Sequence, residues 1–388
     1  MIEFPGLEKL WAALPEARIA GGAVRDSLAG RAVADIDLAA PFPPADIIAR
    51  LAAAGIKTIP TGLAHGTVTA FVAGRGFEIT SLRRDVETDG RHALVAFTDD
   101  WVEDAARRDF TINAMFLDRA GQLYDYFGGQ DDLRAGRLRF VGDARTRITE
   151  DFLRILRFFR FYARYAAGPP DAAAMTAITD LRNGILGLSA ERLWSELKNI
   201  LSAIDPGPAI GLMQSTFVLD LLIPEGTSPE RLNTLIAQGA PPDALLRTAA
   251  LLNGDATAFA ARLKLSSEER AALTALKIPT TLNPNSTPAE LRRALADTDT
   301  ATLIAQTWLA QTSSSDWHDL RARIAATPTP IFPLQGRDLT ALGLPPGPQI
   351  GEILRTVRTW WLSTGCTAPE PACLAKALAA ITDPKPSG

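Results

Sequence analysis

Along the first 140 or so residues, short apolar and β-branched runs alternate with stretches of helical periodicity. Arg18 to Ala20, Asp35 to Ala39, Gly66 to Val72, Phe77 to Leu82 and Met115 to Asp118 read as strands, bounded by turn residues. Strands interleaved with helices in this way predict an α+β head built on a mixed sheet. After about Thr149 the strand signal nearly vanishes. The remainder of the chain reads as successive amphipathic helices rich in Ala and Leu, broken at Gly168-Pro169-Pro170, Asp205-Pro206-Gly207-Pro208, Gly239 to Pro242 and Asn283 to Pro288. Boundaries near 140, 205 and 325 give a head over 1–140 and three all-helical segments over 141–205, 206–325 and 326–388.

A chain of 388 residues with 47% hydrophobic content can bury a large core and hold two or more domains. Its net charge of -4 argues against a protein that coats nucleic acid indiscriminately. The charge is unevenly spread, however. From Arg134 to Arg164 nine arginines face three acids, a local balance of +6, as expected of a site that holds phosphates. Cys366 and Cys373 have no histidine nearby and read as reduced core thiols. No apolar run approaches the roughly 18 residues of a membrane span, and no basic-then-apolar leader is visible. A cytoplasmic protein is expected.

The chemistry begins at Gly21-Gly22-Ala23-Val24-Arg25-Asp26. Glycines reach backbone angles closed to other residues and leave amide N–H groups bare, so phosphate can approach the turn at the start of the helix over Ala23 to Leu28. Arg25 adds a positive fork. Asp35 and Asp37 stand two apart, which on a strand puts both carboxylates on one face, where they can share Mg²⁺. The whole string, Gly-Gly-x-Val-Arg-Asp-x-Leu then Asp-x-Asp, resembles the head-domain signature of class II tRNA nucleotidyltransferases and bacterial poly(A) polymerases, within the polymerase beta superfamily.

Two further motifs carry the same resemblance. Arg107-Arg108-Asp109-Phe110-Thr111-Ile112-Asn113-Ala114 matches a family motif lining the ribose and triphosphate. The resemblance implies that Arg108 meets phosphate, Asp109 accepts from the sugar hydroxyls and Asn113 orients the loop. Glu150-Asp151-Phe152-Leu153-Arg154 matches the family's base-reading segment. Helical spacing would set Asp151, Arg154 and Arg157 in one row, with Phe152, Leu156 and Phe159 turned elsewhere to pack. A carboxylate accepts from an exocyclic amine and a guanidinium donates to ring acceptors, so Asp151 and Arg154 suit both cytosine and adenine. Uracil and guanine present the reverse pattern. Two mispaired buried groups at about 1 to 3 kcal/mol each would reject UTP and GTP by roughly 10² to 10⁴.

Within the family, the His65-Gly66-Thr67-Val68-Thr69 strand resembles the CCA-adding branch, and the Gly-Arg-Arg-Phe-type basic segment of poly(A) polymerases is absent. Glu78 falls where the superfamily often has a third carboxylate, to orient the 3′-hydroxyl or brace the site. Arg84 to His92 resembles the flexible loop needed for the terminal A, although its usual Tyr is missing and His92 replaces an Arg. Leu188 to Leu197 resembles the neck helix, opened by a Ser189 cap. Leu263 to Ser266, Gly336 to Leu339 and Pro346 to Gly351 resemble body and tail segments, whose glycine turns either contact RNA phosphates or cap helices. The resemblance thus implies a head, neck, body and tail. It further implies a CCA-adding enzyme that uses Mg²⁺ at Asp35 and Asp37, takes CTP and ATP, and grips tRNA by its acceptor and TΨC arms. Poly(A) polymerase, CC-only and A-only enzymes share the head and stay open, as does a non-catalytic RNA-binding module. For that module, a carboxylate pair that repels phosphate would serve no purpose. A fused phosphohydrolase is excluded by count, since His318 is the only histidine past residue 92.

Overall fold

All strands found among the described residues lie in the first 125 positions: β1 Arg18–Ala20, β2 Asp37–Ala40, β3 Lys57–Gly62, β4 Thr67–Val72, β5 Arg75–Ser81, β6 Arg83–Thr88, β7 Ala93–Phe97, β8 Met115–Leu117 and β9 Leu123–Asp125. The structure, a computed structural model, describes residues 4–88, 93–311 and 316–382. Seven strands form one sheet in the order β3-β4-β5-β2-β1-β8-β9. It is mixed, as expected: β2 and β5 run parallel and the other neighbours antiparallel. Strands β6 and β7 form a separate hairpin. Residues 89–92 of the expected flexible loop, Arg84 to His92, lie outside the described residues.

The sheet departs from the sequence reading at its edges. Strand β2 begins at Asp37, so Asp35 precedes it. Strand β3 was not expected, because Pro60 and the polar Thr58 and Thr61 break its alternation. Strands β6, too charged to read as a strand, β7 and β9 were also missed.

The chain divides into two compact units, residues 1–229 with 262–264, and 230–261 with 265–388. In the first, helices α1 (Leu7–Ala13), α2 (Gly22–Leu28) and α3 (Pro44–Ala53) bury Leu10, Trp11, Val24, Ile47 and Leu51 in one core with Ile19, Leu38, Val68 and Ile79 of the sheet. Alternation on β5 buries Phe77, Ile79 and Ser81 and turns Glu78 outward. Next in the chain come α4 (Trp101–Ala106), α5 (Gly129–Arg134), α6 (Ala144–Glu150), α7 (Leu153–Tyr165), α8 (Ala172–Leu181) and α9 (Ala190–Leu201). In α7, Ile155, Leu156, Phe158 and Phe159 are buried, while Arg154, Arg157 and Arg160 stay partly open. Ser189 stands at the start of α9 as expected, but its hydroxyl makes no capping bond.

The elements of the second unit among its described residues are helices joined by loops. Capping boxes at Ser266 with Glu269 and at Thr287 with Glu290 start two of its helices. One cluster gathers Leu291, Leu303, Trp317 and Leu320, and another gathers Leu339, Val357, Trp361 and Cys373. Cys366 and Cys373 are buried free thiols.

Two buried aspartates organise the segment from α4 to α7. Asp104 pairs with Arg107 and Arg108 at 2.9 and 3.0 Å. Asp132 accepts from Thr111 Oγ1 at 2.7 Å, Arg137 Nε at 3.0 Å and Arg139 Nε at 2.8 Å. Burial would raise both carboxyls. The charges of Arg108 and Arg107 overcome it at Asp104, and hydrogen bonds from Arg139, Thr111 and Arg137 overcome it at Asp132, so both lie below the usual range. A depressed folded-state pKa contributes stability that is fully present above the unfolded value of about 3.9 and is lost as pH falls through the lower folded value. Denaturant midpoints should therefore stay level from pH 7 to about 5 and fall steeply below about 4. Asp104→Asn should lower the neutral-pH midpoint and flatten that acid limb. The same segment is tightly packed at Gly129, where an added Cβ would lie 2.2 Å from the Thr111 carbonyl oxygen. Gly129→Ala should cost about 1 to 3 kcal/mol, read as a lower thermal midpoint.

Candidate active site

Gly21 joins β1 to α2 with φ 63° and ψ -114°, a conformation that a side chain strains. An added Cβ would also meet Arg108 Nη1 at 3.0 Å. Beside this turn, Asp37 opens β2 and is the register partner of Glu78 on β5. Ile36 is buried, with Asp35 and Asp37 exposed on either side of it. The alternation expected of a strand thus holds, although pairing starts only at Asp37. Although the Asp37 side chain is open to solvent, the protein packed around its carboxyl partly desolvates it and raises it above its usual range, and the charges of Glu78 and Asp35 push the same way against the pull of Arg108. Such crowding of like charges is what a divalent cation relieves, so the donor set fits one. Among the described residues, no group of three or more His, Cys, Asp or Glu side chains is arranged to hold a metal. The fit therefore rests on the aspartate pair with Glu78 alongside.

Asp37 and Glu78 line a cavity of about 200 Å³ together with Gly21, Gly22, Arg107 and Arg108. Those last four residues also line a larger cavity of about 510 Å³. Every residue expected to bind nucleotide faces this larger space: Gly21, Gly22, Arg25, Arg108, Asp109, Asn113, Asp151, Arg154 and Arg157. They come from α2, the loop after α4 and the start of α7. Only Asp35 of the expected site lines neither cavity.

The loop after α4 is held by a chain of polar contacts. Asp109 Oδ1 accepts from the Phe110 N–H and from Asn113 Nδ2, each at 2.9 Å. Its Oδ2 accepts from Arg157 Nε at 2.8 Å and also from Arg157 Nη2. Asn113 Oδ1 in turn accepts from Arg25 Nη1 at 2.6 Å. Burial would raise the Asp109 carboxyl, but Arg157 with Asn113 and the Phe110 N–H hold it below its usual value. All four lone-pair directions of this carboxylate are engaged. A sugar hydroxyl reaches it only by sharing or displacing one of these donors.

The segment expected to read the base departs from the expected helical row. Asp151 is extended, at φ -155° and ψ 107°, between α6 and α7. The physical reason is local: Asp151 Oδ1 accepts from the Leu153 N–H at 3.0 Å, satisfying a donor at the start of α7 from outside the helix. Phe152 also stands outside α7, its ring against Gly184, where a Cβ would lie 2.0 Å away. Arg154 pairs with Glu150 and donates to the carbonyls of Arg147 at 2.7 Å and Arg107 at 3.2 Å. Asp151 Oδ2 instead accepts from Arg192 Nη2 of α9 at 2.7 Å.

Arg192, Arg107 and Phe161 line the larger cavity and were not singled out as site residues. Arg107 lay inside the quoted Arg-Arg-Asp motif, and Phe161 lies four residues from Arg157 on α7. Arg192 lay inside the Leu188 to Leu197 helix segment, but nothing in that segment pointed to Asp151, which it approaches across 41 positions of sequence.

The model of the poly A polymerase head domain matches residues 17–139. The mitochondrial CCA tRNA nucleotidyltransferase 1 of Mus musculus is 37% identical over 366 residues, covering 90% of this chain and 83% of that protein. A CCA-adding enzyme of Levilactobacillus brevis is 30% identical over 401 residues, covering 98% and 96%. The crystal structure of the Bacillus stearothermophilus CCA-adding enzyme in complex with CTP superposes with a TM-score of 0.76 at 25% identity, over 98% of both chains. Enzymes of the polymerase beta superfamily generally use divalent metals. With its head matched and two full-length relatives at 30% identity or more, the chain belongs to the CCA tRNA nucleotidyltransferase family.

Proposed function

We propose that the protein adds C, C and A to the 3′ end of tRNA from CTP and ATP without a nucleic-acid template, releasing pyrophosphate at each step. The observation that supports this most is the single cavity lined by all nine expected nucleotide-binding residues, which shares its Gly21-Gly22 wall with the site of Asp37 and Glu78. Bound at Asp35 and Asp37, Mg²⁺ would supply charge for the attacking 3′-hydroxyl and the departing pyrophosphate. Gly21 and Gly22 leave the backbone open to phosphate, and Arg25 and Arg108 hold the triphosphate. Asp109 fixes Arg157 and Asn113 along the ribose side. Asp151, oriented by Arg192, accepts from the exocyclic amine of C or A, while Arg154 donates to the ring.

In the same proposal the chain has a head over 1–140, a neck over 141–205, and a body and tail over 206–325 and 326–388 that grip the acceptor and TΨC arms by shape and phosphate contacts. CCA addition is favoured over poly(A) synthesis by the relatives that cover most of the chain, which are CCA-adding enzymes, and by the His65 to Thr69 motif leading into β4. No helix among the described residues is long and apolar enough to cross a membrane. A cytoplasmic location belongs to the proposal and is checked by cell fractionation.

The test is incorporation of labelled CTP and ATP, with Mg²⁺ or Mn²⁺, on tRNA transcripts ending before CCA, after CC and after CCA. The expected product is CCA, with growth stopping there. Arrest after CC would mark a CC-only enzyme, and long A tails a poly(A) polymerase. Asp37→Ala should lower kcat by about 10³ or more, as expected when a metal-holding carboxylate is lost. Activity surviving that change would overturn the site. Asp151→Ala should raise the relative use of UTP and GTP by about 10-fold or more while lowering CTP and ATP use, measured as kcat/KM ratios.

A further inference from the structure

The contacts between α7 and the head close into a ring. Arg157, Phe161 and Tyr165 recur every four residues, so they share one face of α7. From Arg157 the ring runs through Asp109 and Asn113 to Arg25, at 2.8, 2.9 and 2.6 Å. It returns through Asp26, which accepts from Arg25 Nε at 2.9 Å and Nη2 at 3.1 Å. Tyr165 closes it by donating its O–H to Asp26 Oδ1 at 2.6 Å. The guanidinium carbon of Arg25 also lies 5.0 Å from the Phe161 ring and 4.4 Å from that of Tyr165.

This ring leaves Arg25 little freedom. A guanidinium carries five N–H donors, of which Asp26 and Asn113 engage three, leaving two for a ligand. Arg25 is 8% exposed and faces the larger cavity, whereas Asp26 and Tyr165 do not line it. Asp26 places a negative charge one residue from a phosphate ligand, which opposes anion binding. That charge is offset by the alignment it gives: two parallel N–H···O bonds fix the plane of the guanidinium. Tyr165 then fixes the carboxylate. Tyr165 stands 11 residues after Arg154, about 16 Å along the helix.

We propose that Asp26 and Tyr165 are positioning residues that set the angle at which Arg25 meets the triphosphate, so that affinity for both nucleotides is tuned from the far end of α7. This rests on the reading of Arg25 as a triphosphate ligand. No hydrogen bond of the ring reaches Asp151 or Arg154, and Arg157 feels Asp151 only through its charge, so the path through Asp26 and Tyr165 governs how tightly nucleotide is held and leaves the choice of base alone.

Steady-state kinetics of Tyr165→Phe, Tyr162→Phe and Arg25→Ala on a tRNA transcript test it. Tyr165→Phe should raise KM for CTP and for ATP by the same factor, about three- to tenfold, with kcat within about twofold. Inhibition by pyrophosphate should weaken by that same factor, because pyrophosphate has no base or sugar and reports on the phosphate holders alone. Tyr162 lies on the same helix and donates its hydroxyl to the Gly168 carbonyl at 2.7 Å. Tyr162→Phe removes an equivalent bond and should move none of these values. The inference is overturned if Tyr165→Phe changes neither KM nor pyrophosphate inhibition while Arg25→Ala raises both KM values, or if Tyr162→Phe reproduces the effect of Tyr165→Phe. If Arg25→Ala leaves both KM values unchanged, the reading of Arg25 itself falls, and the inference with it.

Discussion

Arg157 and Asp109 lie 48 positions apart, and the ion pair between them ties the loop after α4 to α7, in the helical stretch that follows the last strand. Most of the site hangs from this contact. A buried carboxylate is costly unless every lone pair is met. At Asp109 that demand is satisfied by one guanidinium, one amide side chain and one backbone N–H. Satisfying it fixes Asn113, which holds Arg25, and fixes Arg157 against the cavity wall. Arg25 is thereby set over the glycine turn.

A second carboxylate works on the same principle one layer out. Asp104 is 1% exposed and holds Arg107 and Arg108 together. Two adjacent arginines repel one another, and a shared buried carboxylate offsets that repulsion while keeping both guanidiniums at the boundary of the two cavities. The positive wall needed for a triphosphate is therefore preformed. Asp37 and Glu78 line the smaller cavity with Asp35 just before β2, and their negative charge adds to desolvation in raising the Asp37 carboxyl against the pull of Arg108. The contrast separates groups that brace the protein from groups left for a cation.

Much of the candidate site was legible because its residues act through short local patterns. The Gly21-Gly22 turn, the alternation of Asp35, Ile36 and Asp37, and the Arg107 to Asn113 loop each need only a few neighbouring backbone angles. The row expected for Asp151 was misread because its carboxylate satisfies a helix donor from outside, which ends one helix and begins another. Strand β3 was hidden by Pro60, and strand β6 by its charges, since both draw their hydrogen bonds from a neighbouring strand that local composition does not announce.

By itself the sequence determined the α+β head and the helical remainder, because hydrophobic periodicity and turn chemistry act between residues a few positions apart, and the family was legible through the resemblance of its motifs. Its motifs also named the side chains that the structure brings to one cavity and that are proposed to bind nucleotide. Only the tertiary structure decided which of them touch. Arg192 reaches Asp151 across 41 positions, Arg157 reaches Asp109 across 48, and Tyr165 reaches Asp26 across 139. Pairings at such separations depend on how α7 and α9 pack against the head, and no local periodicity encodes that packing.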